Sequence, residues 1–435
     1  MTELISSESQ HCHADELNGA VMTAPILAAA AFALTVTVFH VASIALAIGR
    51  FRRSPCGSTL SRQCPPVSLV RPLCGIDNYA VDTLSSTFGL DYPRYEILFC
   101  VASANDPVVP LVEALIAEHP ATNAKLLVGD ERVSNNPKLN NVVKGWAAAA
   151  HEWIILADSN VLMPPDYIEL LFASWRDDTG LVASPPVGCS PEGFWAEMEC
   201  AFLNTYQARW QYAADSLGFG FAQGKTMLWR RADLDRAGGI VTLAKEVAED
   251  AAATKIVRGA DLKVRLVDSP FAQPLGRRTA REVWNRQLRW ARLRRASFLL
   301  YFLPEILSGG VLPTIAVALV ANACGLSAAP SAAFFAAFWY GGEMLLASAA
   351  DWPVSALSPL YGLIRDLLLP ALFVGALHGN GFVWRGNEMQ VERMRPRRMV
   401  AQMRPQRMIA RMRPRMQEIA QGSRRRLRAL RARAL

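Results

Sequence analysis

Charged side chains are scarce in this sequence of 435 residues. Asp, Glu, Lys and Arg together make up 19% of the chain, whereas hydrophobic residues make up 51%. Soluble domains carry about 25% charged residues, so this composition favours a membrane protein. Between Leu17 and Gly49 there is no charged residue at all, and the core of that run, Val21–Ile48, is long enough to cross a bilayer as a helix.

This uncharged run is predicted to be a transmembrane helix over residues 21–49. It is too long for the core of a signal peptide, and no small-residue cleavage site followed by a polar start comes after it. Arg50, Arg52 and Arg53 follow directly. Because positively charged flanks stay in the cytoplasm, residues 1–20 are predicted to lie outside it. The alternative is a buried helix of a soluble protein.

Two common site motifs are missing. The eight cysteines include no C-x-x-C pair and no metal-ligand spacing, so the chain is predicted to keep reduced thiols without disulfides. Gly224-Lys225-Thr226 resembles the end of a phosphate-binding loop, but the position that requires the first glycine holds Phe219. This spacing argues against a nucleotide triphosphatase.

Positive charge is concentrated in the C-terminal arm, residues 385–435. This arm has 16 Arg against three Glu, a charge of +13, so the remainder of the chain carries −5 of the net +8. Met-Arg-Pro recurs three times, and its prolines prevent one long helix. We expect a disordered arm attracted to anionic lipid headgroups. Nucleic-acid binding is not expected, because the arm lacks interleaved aromatics and a folded module.

Residues 66–275 alternate between short apolar runs and helical stretches, which predicts an α/β domain with a mostly parallel sheet covered on both faces. The predicted strand and helix pairs are Val67–Val70 with Val81–Leu90, Ile97–Val101 with Val108–Glu118, Leu126–Val128 with Leu139–Ala150, and Trp153–Leu156 with Pro165–Trp175. Ligands of such sheets bind beyond the carboxyl ends of the strands. Asp106 and Asp158 both follow strands, so one site could use both.

Residues 301–384 contain three further apolar runs, Gly309–Leu326, Ala332–Ala349 and Leu367–Leu377. Three crossings would place the basic arm outside the cytoplasm, whereas the positive-inside rule favours an even number. We therefore predict two to three C-terminal membrane segments, one of them re-entrant or interfacial. Leu367–Leu377 is the weakest candidate, because it is short and follows Arg365-Asp366.

The candidate chemistry lies in three aspartates and a pentad, in the order Asp106, Asp158, Asp250 and Arg286–Trp290. A nucleotide-sugar transferase needs one carboxylate for the nucleobase end, one for a metal on the diphosphate and one to deprotonate the acceptor. Cationic and aromatic groups hold the leaving diphosphate. Singly, each aspartate could be a helix cap or turn former. A basic helix at the membrane surface, near residues 277–300, would explain the arginines without catalysis.

In this order, the residues resemble the ceramide glucosyltransferase family, membrane-bound inverting glycosyltransferases with a D, D, D, (Q/R)xxRW signature on a GT-A fold. The resemblance covers residues 66–300 and extends weakly to Ile364–Asp366 and Trp384–Gly386. The further matching segments are Val67–Asp77, Leu90–Pro93, Asn136–Asn141, Arg230–Gly239 and Trp290–Arg294.

The resemblance implies transfer of glucose from UDP-glucose to the primary hydroxyl of ceramide, with inversion, at the cytoplasmic face of a membrane. It implies these roles: Asp106 at the uracil end, Asp158 on the diphosphate through Mg²⁺ or Mn²⁺, Asp250 as general base, Arg286, Arg289 and Trp290 around the diphosphate and acceptor, and Lys138 as a further phosphate contact. The implied protein is an integral, multi-pass membrane enzyme.

Two residues depart from the pattern. Asp158-Ser-Asn160 ends in an amide where many GT-A enzymes have a second carboxylate, which puts metal dependence in question. Gln207 stands about where animal members carry histidine, which puts the acceptor details in question. Diacylglycerol or another polar lipid as acceptor, UDP-galactose as donor, a processive polysaccharide synthase, and a non-catalytic membrane scaffold are the alternatives.

Overall fold

The computed structural model describes residues 23–52 and 63–391. The predicted extracytoplasmic tail, residues 1–20, and the basic arm beyond Val391 therefore lie outside the described residues. The first element is helix α1 (Ala24–Phe51), 28 residues long with a proline in its first turn. Proline is well suited to that place, because the first amides of a helix have no intrahelical acceptor.

The C-terminal end of α1 is tied to the α/β domain by one buried arginine. The guanidinium of Arg50 pairs with Asp215 and Asp268 and donates to the carbonyl of Leu266. We call these contacts the Arg50 clamp. Two carboxylates and a carbonyl satisfy most donors of the guanidinium fork, which a buried charge requires.

A seven-stranded sheet forms the centre of the α/β domain. In chain order the strands are β1 (Val67–Pro72), β2 (Tyr95–Val101), β3 (Ala124–Val128), β4 (Trp153–Ala157), β5 (Thr179–Ala183), β6 (Val187–Glu192), β7 (Thr226–Arg230), β8 (Lys263–Leu266), β9 (Ala272–Arg277), β10 (Gly381–Trp384) and β11 (Asn387–Gln390). The sheet order is β3-β2-β1-β4-β7-β5-β8. Within this sheet only β7 runs antiparallel to its neighbours, so the predicted α/β, mostly parallel architecture is confirmed. Two smaller sheets of the described residues pair β6 with β9 in parallel and β10 with β11 antiparallel.

Helices cover both faces of this sheet. In chain order, the helices of residues 80–297 are α2 (Ala80–Ser85), α3 (Val109–Glu118), α4 (Pro137–Ala148), α5 (Tyr167–Ala173), α6 (Phe194–Cys200), α7 (Arg209–Ser216), α8 (Arg231–Arg236), α9 (Glu249–Gly259) and α10 (Ala280–Ser297). Of these, α6 and α10 lie beside the sheet and not on it. A π-helical segment, Ala201–Ala208, joins α6 to α7. Strands β1 and β4 are buried along their whole length, as expected for parallel strands with both faces covered.

Each face of the sheet has its own apolar core. On one face, Val70 and Leu156 pack with Leu139 of α4 and Val257 of α9. On the other, Leu69 and Ile155 pack with residues of α5 such as Phe172. Alternate residues of the same strands thus point to opposite cores. This packing holds the carboxyl ends of β1 and β4 side by side, since Val70 is paired with Leu156.

The C-terminal region is helical: α11 (Leu299–Phe302), a 3₁₀ segment (Leu303–Leu307), α12 (Val311–Ala323), α13 (Ala328–Ala349) and α14 (Ser358–Leu377). Within the described ranges, α1 and α14 are long and apolar enough to cross a membrane. The Leu299–Leu307 and Val311–Ala323 segments pass the same test together but are bent by 44°, as in a broken span or a re-entrant loop.

The prediction that Leu367–Leu377 is the weakest span is wrong. The helix begins nine residues earlier, at Ser358, because Arg365 and Asp366 are neutralised inside the protein instead of flanking a span. Arg365 pairs with Glu343 of α13 at 3.0 Å, and Glu343 also contacts Arg209 of α7 at 3.3 Å. Arg209, Glu343, Arg365 and Asp366 form what we call the buried ion cluster.

Candidate active site

Asp158 is the first residue beyond β4, at the carboxyl edge of the sheet. Its amide donates to the carbonyl of Lys225 at 3.0 Å. Its own carbonyl accepts from the buried guanidinium of Arg71 at 2.8 Å. These two bonds fix the backbone of Asp158, so the direction of its carboxylate is set by the ends of three strands, β1, β4 and β7.

The carboxylate of Asp158 lies between two ammonium groups. Lys138 Nζ is 2.7 Å from Asp158 Oδ1, and Lys225 Nζ is 2.9 Å from Asp158 Oδ2. Burial alone would raise the pKa of Asp158, but the two lysines hold it well below its usual range. Lys138 also contacts Glu249 Oε1 at 2.7 Å, so its pKa is raised although burial opposes this.

The position of Lys138 follows from the start of helix α4. Asn136 caps this helix, because its side-chain oxygen accepts from the amides of Lys138 and Leu139. Its side-chain nitrogen donates to Glu249 Oε2 at 2.8 Å. The Asn136–Asn141 segment thus starts a helix, directs a lysine into the site and orients a carboxylate of the facing helix, α9.

Asp250 lies in the first turn of α9, next to Glu249. One carboxylate oxygen accepts the amide hydrogen of Gly224 at 3.1 Å. Burial, followed by the charge of Glu249, raises the pKa of Asp250 to about 6. A carboxylate with this pKa is mostly ionised at neutral pH and can still accept a proton, which suits a general base.

The approach of Gly224 to these carboxylates leaves no space for a side chain. A Cβ at this position would lie 2.8 Å from Glu249 Oε1 and 3.0 Å from Lys138 Nζ.

Gly224→Ala should therefore displace the charged groups and lower kcat by about 10–10²-fold, since small misplacements of reacting groups are costly. Gly259→Ala in α9, with open space around the added Cβ, is the matched control. Equal turnover of the two variants, measured on purified protein, would contradict this account.

The carboxylate of Asp106 is held by backbone amides. Its carboxylate accepts from the amide of Gly75 at 3.0 and 3.1 Å and from that of Val108 at 3.0 Å. Gly75 has a φ of +68°, a conformation that glycine adopts without strain. Asp106 thus joins the loops that follow β1 and β2.

The pentad lies on α10, which begins with a capping box formed by Thr279 and Glu282. Arg286 pairs with the buried carboxylate of Glu199. Arg289 stacks over the ring of Trp384 in the β10–β11 hairpin, with 5.7 Å from its guanidinium carbon to the ring centroid. Burial and then the charge of Arg286 lower the pKa of Arg289 to about 10.

The same hairpin closes over the edge of the site through a second contact. Arg385 pairs with Asp77 at 2.6 Å, and Asp77 accepts from the hydroxyl of Ser159 at 2.9 Å. Trp290, in contrast, packs against an apolar cluster that includes Cys200 and Leu275. Trp290 therefore anchors α10 to this apolar cluster.

A cavity lies between α10 and the C-terminal helices. Its polar wall includes Gln207 and Gln287, whose side chains are hydrogen-bonded at 2.8 Å, and an ion pair of Arg294 with Glu305. The apolar walls are formed by Phe202, Tyr206, Phe302, Leu369, Leu372 and Phe373. The free space between these walls is about 20 Å³, which is enough for a water molecule.

Four charged residues of this region are absent from the site predicted from the sequence. Glu249 and Glu199 have no role in that prediction, and Asp77 only ends a segment that resembles the family. Lys225 was considered only as part of a phosphate-binding loop and was discarded with it. The sequence feature that indicates Lys225 is the glycine beside it, because Gly224 permits the close packing of Lys225, Lys138 and Asp250.

The described residues contain no cluster of three or more His, Cys, Asp and Glu side chains that could hold a metal ion. The donors at the end of β4 are one carboxylate, Asp158, and one amide oxygen, Asn160. Mg²⁺ commonly uses one or two carboxylates together with substrate phosphates and waters. The residues therefore fit a divalent cation when a diphosphate supplies the other oxygens.

The sheet of this protein is mostly parallel, and a base-like carboxylate, lysines and arginines lie at its carboxyl edge. Together with the apolar helices beside the sheet, this arrangement is that of a membrane-associated glycosyltransferase. The family model described as glycosyl transferase family 21 matches residues 25–396. This chain belongs to that family.

Individual relatives are similar over most of the chain or over one region. Ceramide glucosyltransferase 3 of Caenorhabditis elegans is 28% identical over 330 residues, 74% of this chain and 72% of the relative. Ceramide glucosyltransferase of Komagataella phaffii is 41% identical over 103 residues, 23% of this chain and 20% of the relative.

Solved structures show a looser likeness. A mannosyltransferase from Pyrobaculum calidifontis, solved with GDP-Man and Mn²⁺, covers 80% of this chain and 97% of its own, with 18% identity and a TM-score of 0.45. The fold assignment depends on the strand order described above and not on this likeness.

Proposed function

We propose that this protein transfers glucose from UDP-glucose to the primary hydroxyl of ceramide, with inversion, at the cytoplasmic face of a membrane. Membership of glycosyltransferase family 21 and the similarity to ceramide glucosyltransferases support the substrates. The observation that carries the chemistry is Asp250, a buried carboxylate with a pKa near 6 in a site that also contains cationic side chains.

In the proposed reaction, Asp250 removes the proton from the acceptor hydroxyl. The acceptor oxygen bonds to C1 of glucose as the bond between C1 and the diphosphate oxygen breaks, and UDP leaves. Asp106 contacts the uracil end, while Lys138, Arg286 and Arg289 bind the diphosphate. Trp290 shapes the acceptor side by supporting α10.

The charges of the site support a need for additional positive charge. Lys138 and Lys225 lie among three carboxylates, those of Asp158, Glu249 and Asp250. When Asp250 is ionised these five side chains have a net charge of −1, and the charge of Arg289, which acts on Asp158, only offsets it. A divalent cation on Asp158 would supply the additional positive charge.

Removal of the carboxylate at position 158 tests the cation. Asp158→Ala should lower the affinity for Mn²⁺ and for UDP-glucose in its presence by about tenfold or more, because even the partners of metal ligands contribute 10–100-fold. Asn160→Asp, which adds a second carboxylate, should tighten Mn²⁺ binding. The role of Asp158 is wrong if EDTA leaves wild-type turnover unchanged and Asp158→Ala binds UDP-glucose normally in calorimetry.

The similarity to ceramide glucosyltransferases supports a lipid acceptor. Helices α1 and α14 support a multi-pass membrane protein, with the Arg50 end of α1 in the cytoplasm. Attraction of the basic arm to anionic headgroups stays a prediction, and the position of α10 at the membrane surface is likewise proposed.

The deciding experiment offers the purified protein several UDP-sugars and several lipids in detergent and identifies the products by mass. Glucosylceramide formed from UDP-glucose supports the proposal. Products from diacylglycerol or from UDP-galactose in preference would replace the acceptor or the donor. A polymer would indicate a polysaccharide synthase, and the absence of any transfer would overturn the proposal.

A further inference from the structure

The loop that ends at Lys225 enters the site between two catalytic aspartates. The carbonyl of Lys225 accepts the amide hydrogen of Asp158, and the preceding amide, of Gly224, donates to Asp250. The loop is therefore bonded to both the diphosphate side and the base side of the site. The side chain of Lys225 is 18% exposed, so it is not fully enclosed by the protein.

The ammonium of Lys225 bridges the two oxygen donors that follow β4. Lys225 Nζ is 2.9 Å from Asp158 Oδ2 and 2.9 Å from Asn160 Oδ1. These are the donors that a divalent cation would use. One residue of the chain thus places a positive charge where the diphosphate of a nucleotide sugar needs it.

The two lysines of the site are neutralised to different degrees. Lys138 contacts two carboxylates, those of Asp158 and Glu249, whereas Lys225 contacts one carboxylate and one neutral amide. If Lys225 turns away, Asp158 keeps its 2.7 Å contact with Lys138. Moving Lys225 onto an incoming phosphate therefore disrupts less than moving Lys138.

We propose that Lys225 binds the diphosphate of the donor, exchanging Asp158 and Asn160 for phosphate oxygens when the nucleotide enters. The inference rests on the proposed function, because it takes a nucleoside diphosphate as ligand. Lysine suits this exchange, since its ammonium binds phosphate as a point charge on a flexible stem. The alternative is a purely structural role, in which Lys225 only neutralises the charge of Asp158.

The test is calorimetric binding of UDP and of uridine to the full chain in detergent, with EDTA present so that only side chains act on the diphosphate. Lys225→Gln should raise the Kd for UDP about tenfold, the loss of one charged hydrogen bond. It should leave the Kd for uridine within about twofold. Lys225→Arg should restore most of the UDP affinity. Lys263→Gln, which removes a lysine paired with Asp178 outside the site, is the matched control.

The outcomes separate this inference from the proposed function. Wild-type protein that binds UDP no tighter than uridine in EDTA would overturn the inference, and the absence of a preference for UDP after Mn²⁺ is added would overturn the proposed function as well. Wild-type protein that prefers UDP, with Lys225→Gln keeping that preference, would overturn the inference alone and leave Lys225 as a counter-ion of Asp158. Equal weakening of UDP and uridine binding would also overturn it, because the loss would then come from distortion of the pocket.

Discussion

Asp250→Asn should lower kcat by about 10²–10⁴-fold, which is the contribution of a general base, while UDP-glucose binding stays close to that of the wild type. Asparagine keeps the shape of aspartate and can still accept the amide hydrogen of Gly224, but it cannot take the proton of the acceptor. Turnover is measured under saturating donor and lipid, and donor affinity by calorimetry. Near-normal turnover would remove Asp250 from the role of base.

The same assignment predicts a pH profile. Because burial raises the pKa of Asp250 to about 6, the protonated form, which cannot act as a base, persists to higher pH than in an ordinary aspartate. Therefore kcat/KM should rise with pH, reach half its maximum near pH 6, and fall about tenfold per pH unit below that value. The residual activity of Asp250→Asn should lack this inflection.

Glu343→Ala should destabilise the protein by about 3–5 kcal/mol, the cost of removing one partner of a buried ion pair. Glu343 lies between the guanidiniums of Arg209 and Arg365, and all three side chains are fully buried. Without Glu343, Arg209 keeps the 2.7 Å contact with the ring of His40 and its position over the ring of Trp210, but no ion pair among the described residues. Arg365 would still have Asp366.

The measurement is the thermal midpoint in detergent, together with the yield of folded protein. Arg132→Ala is the control, because Arg132 pairs with Asp130 at the surface and is 83% exposed, where an ion pair contributes little. The assignment fails if the two variants melt at the same temperature. Glu343→Gln, which keeps shape and hydrogen bonding, should melt between Glu343→Ala and the wild type.

Much of the α/β architecture could be predicted from periodicity. The apolar runs of β1, β2 and β4 and the helical stretches after them are local patterns, and burial on both faces makes the strands continuously apolar. Element ends were less predictable: α2 ends at Ser85, not at Leu90, because turns follow it. The antiparallel insertion of β7 could not be predicted either, since strand order depends on packing between distant segments.

The aspartates could be located because each follows a strand or begins a helix. Their neutralising partners could not, because those partners come from elements far apart in the chain. Lys138 and Lys225 meet at Asp158 although 87 residues separate the two lysines. Arg365 is also misjudged from the sequence. Hydropathy places it at the end of a membrane segment, because the sequence does not show that its partner, Glu343, lies opposite it on another helix.

The Arg50 clamp has a consequence for how many sugars are added. It joins the end of α1 to β8 and α7. With α1 spanning the membrane as proposed, the reacting edge of the sheet is held at a fixed distance from the membrane surface. A lipid hydroxyl near that surface reaches the base at this distance. Once the lipid carries a glucose, the hydroxyls of that glucose lie farther from the membrane surface. A domain that cannot move away from the membrane then holds its base too close to the surface to reach them. Such rigidity favours release after one transfer over growth of a chain.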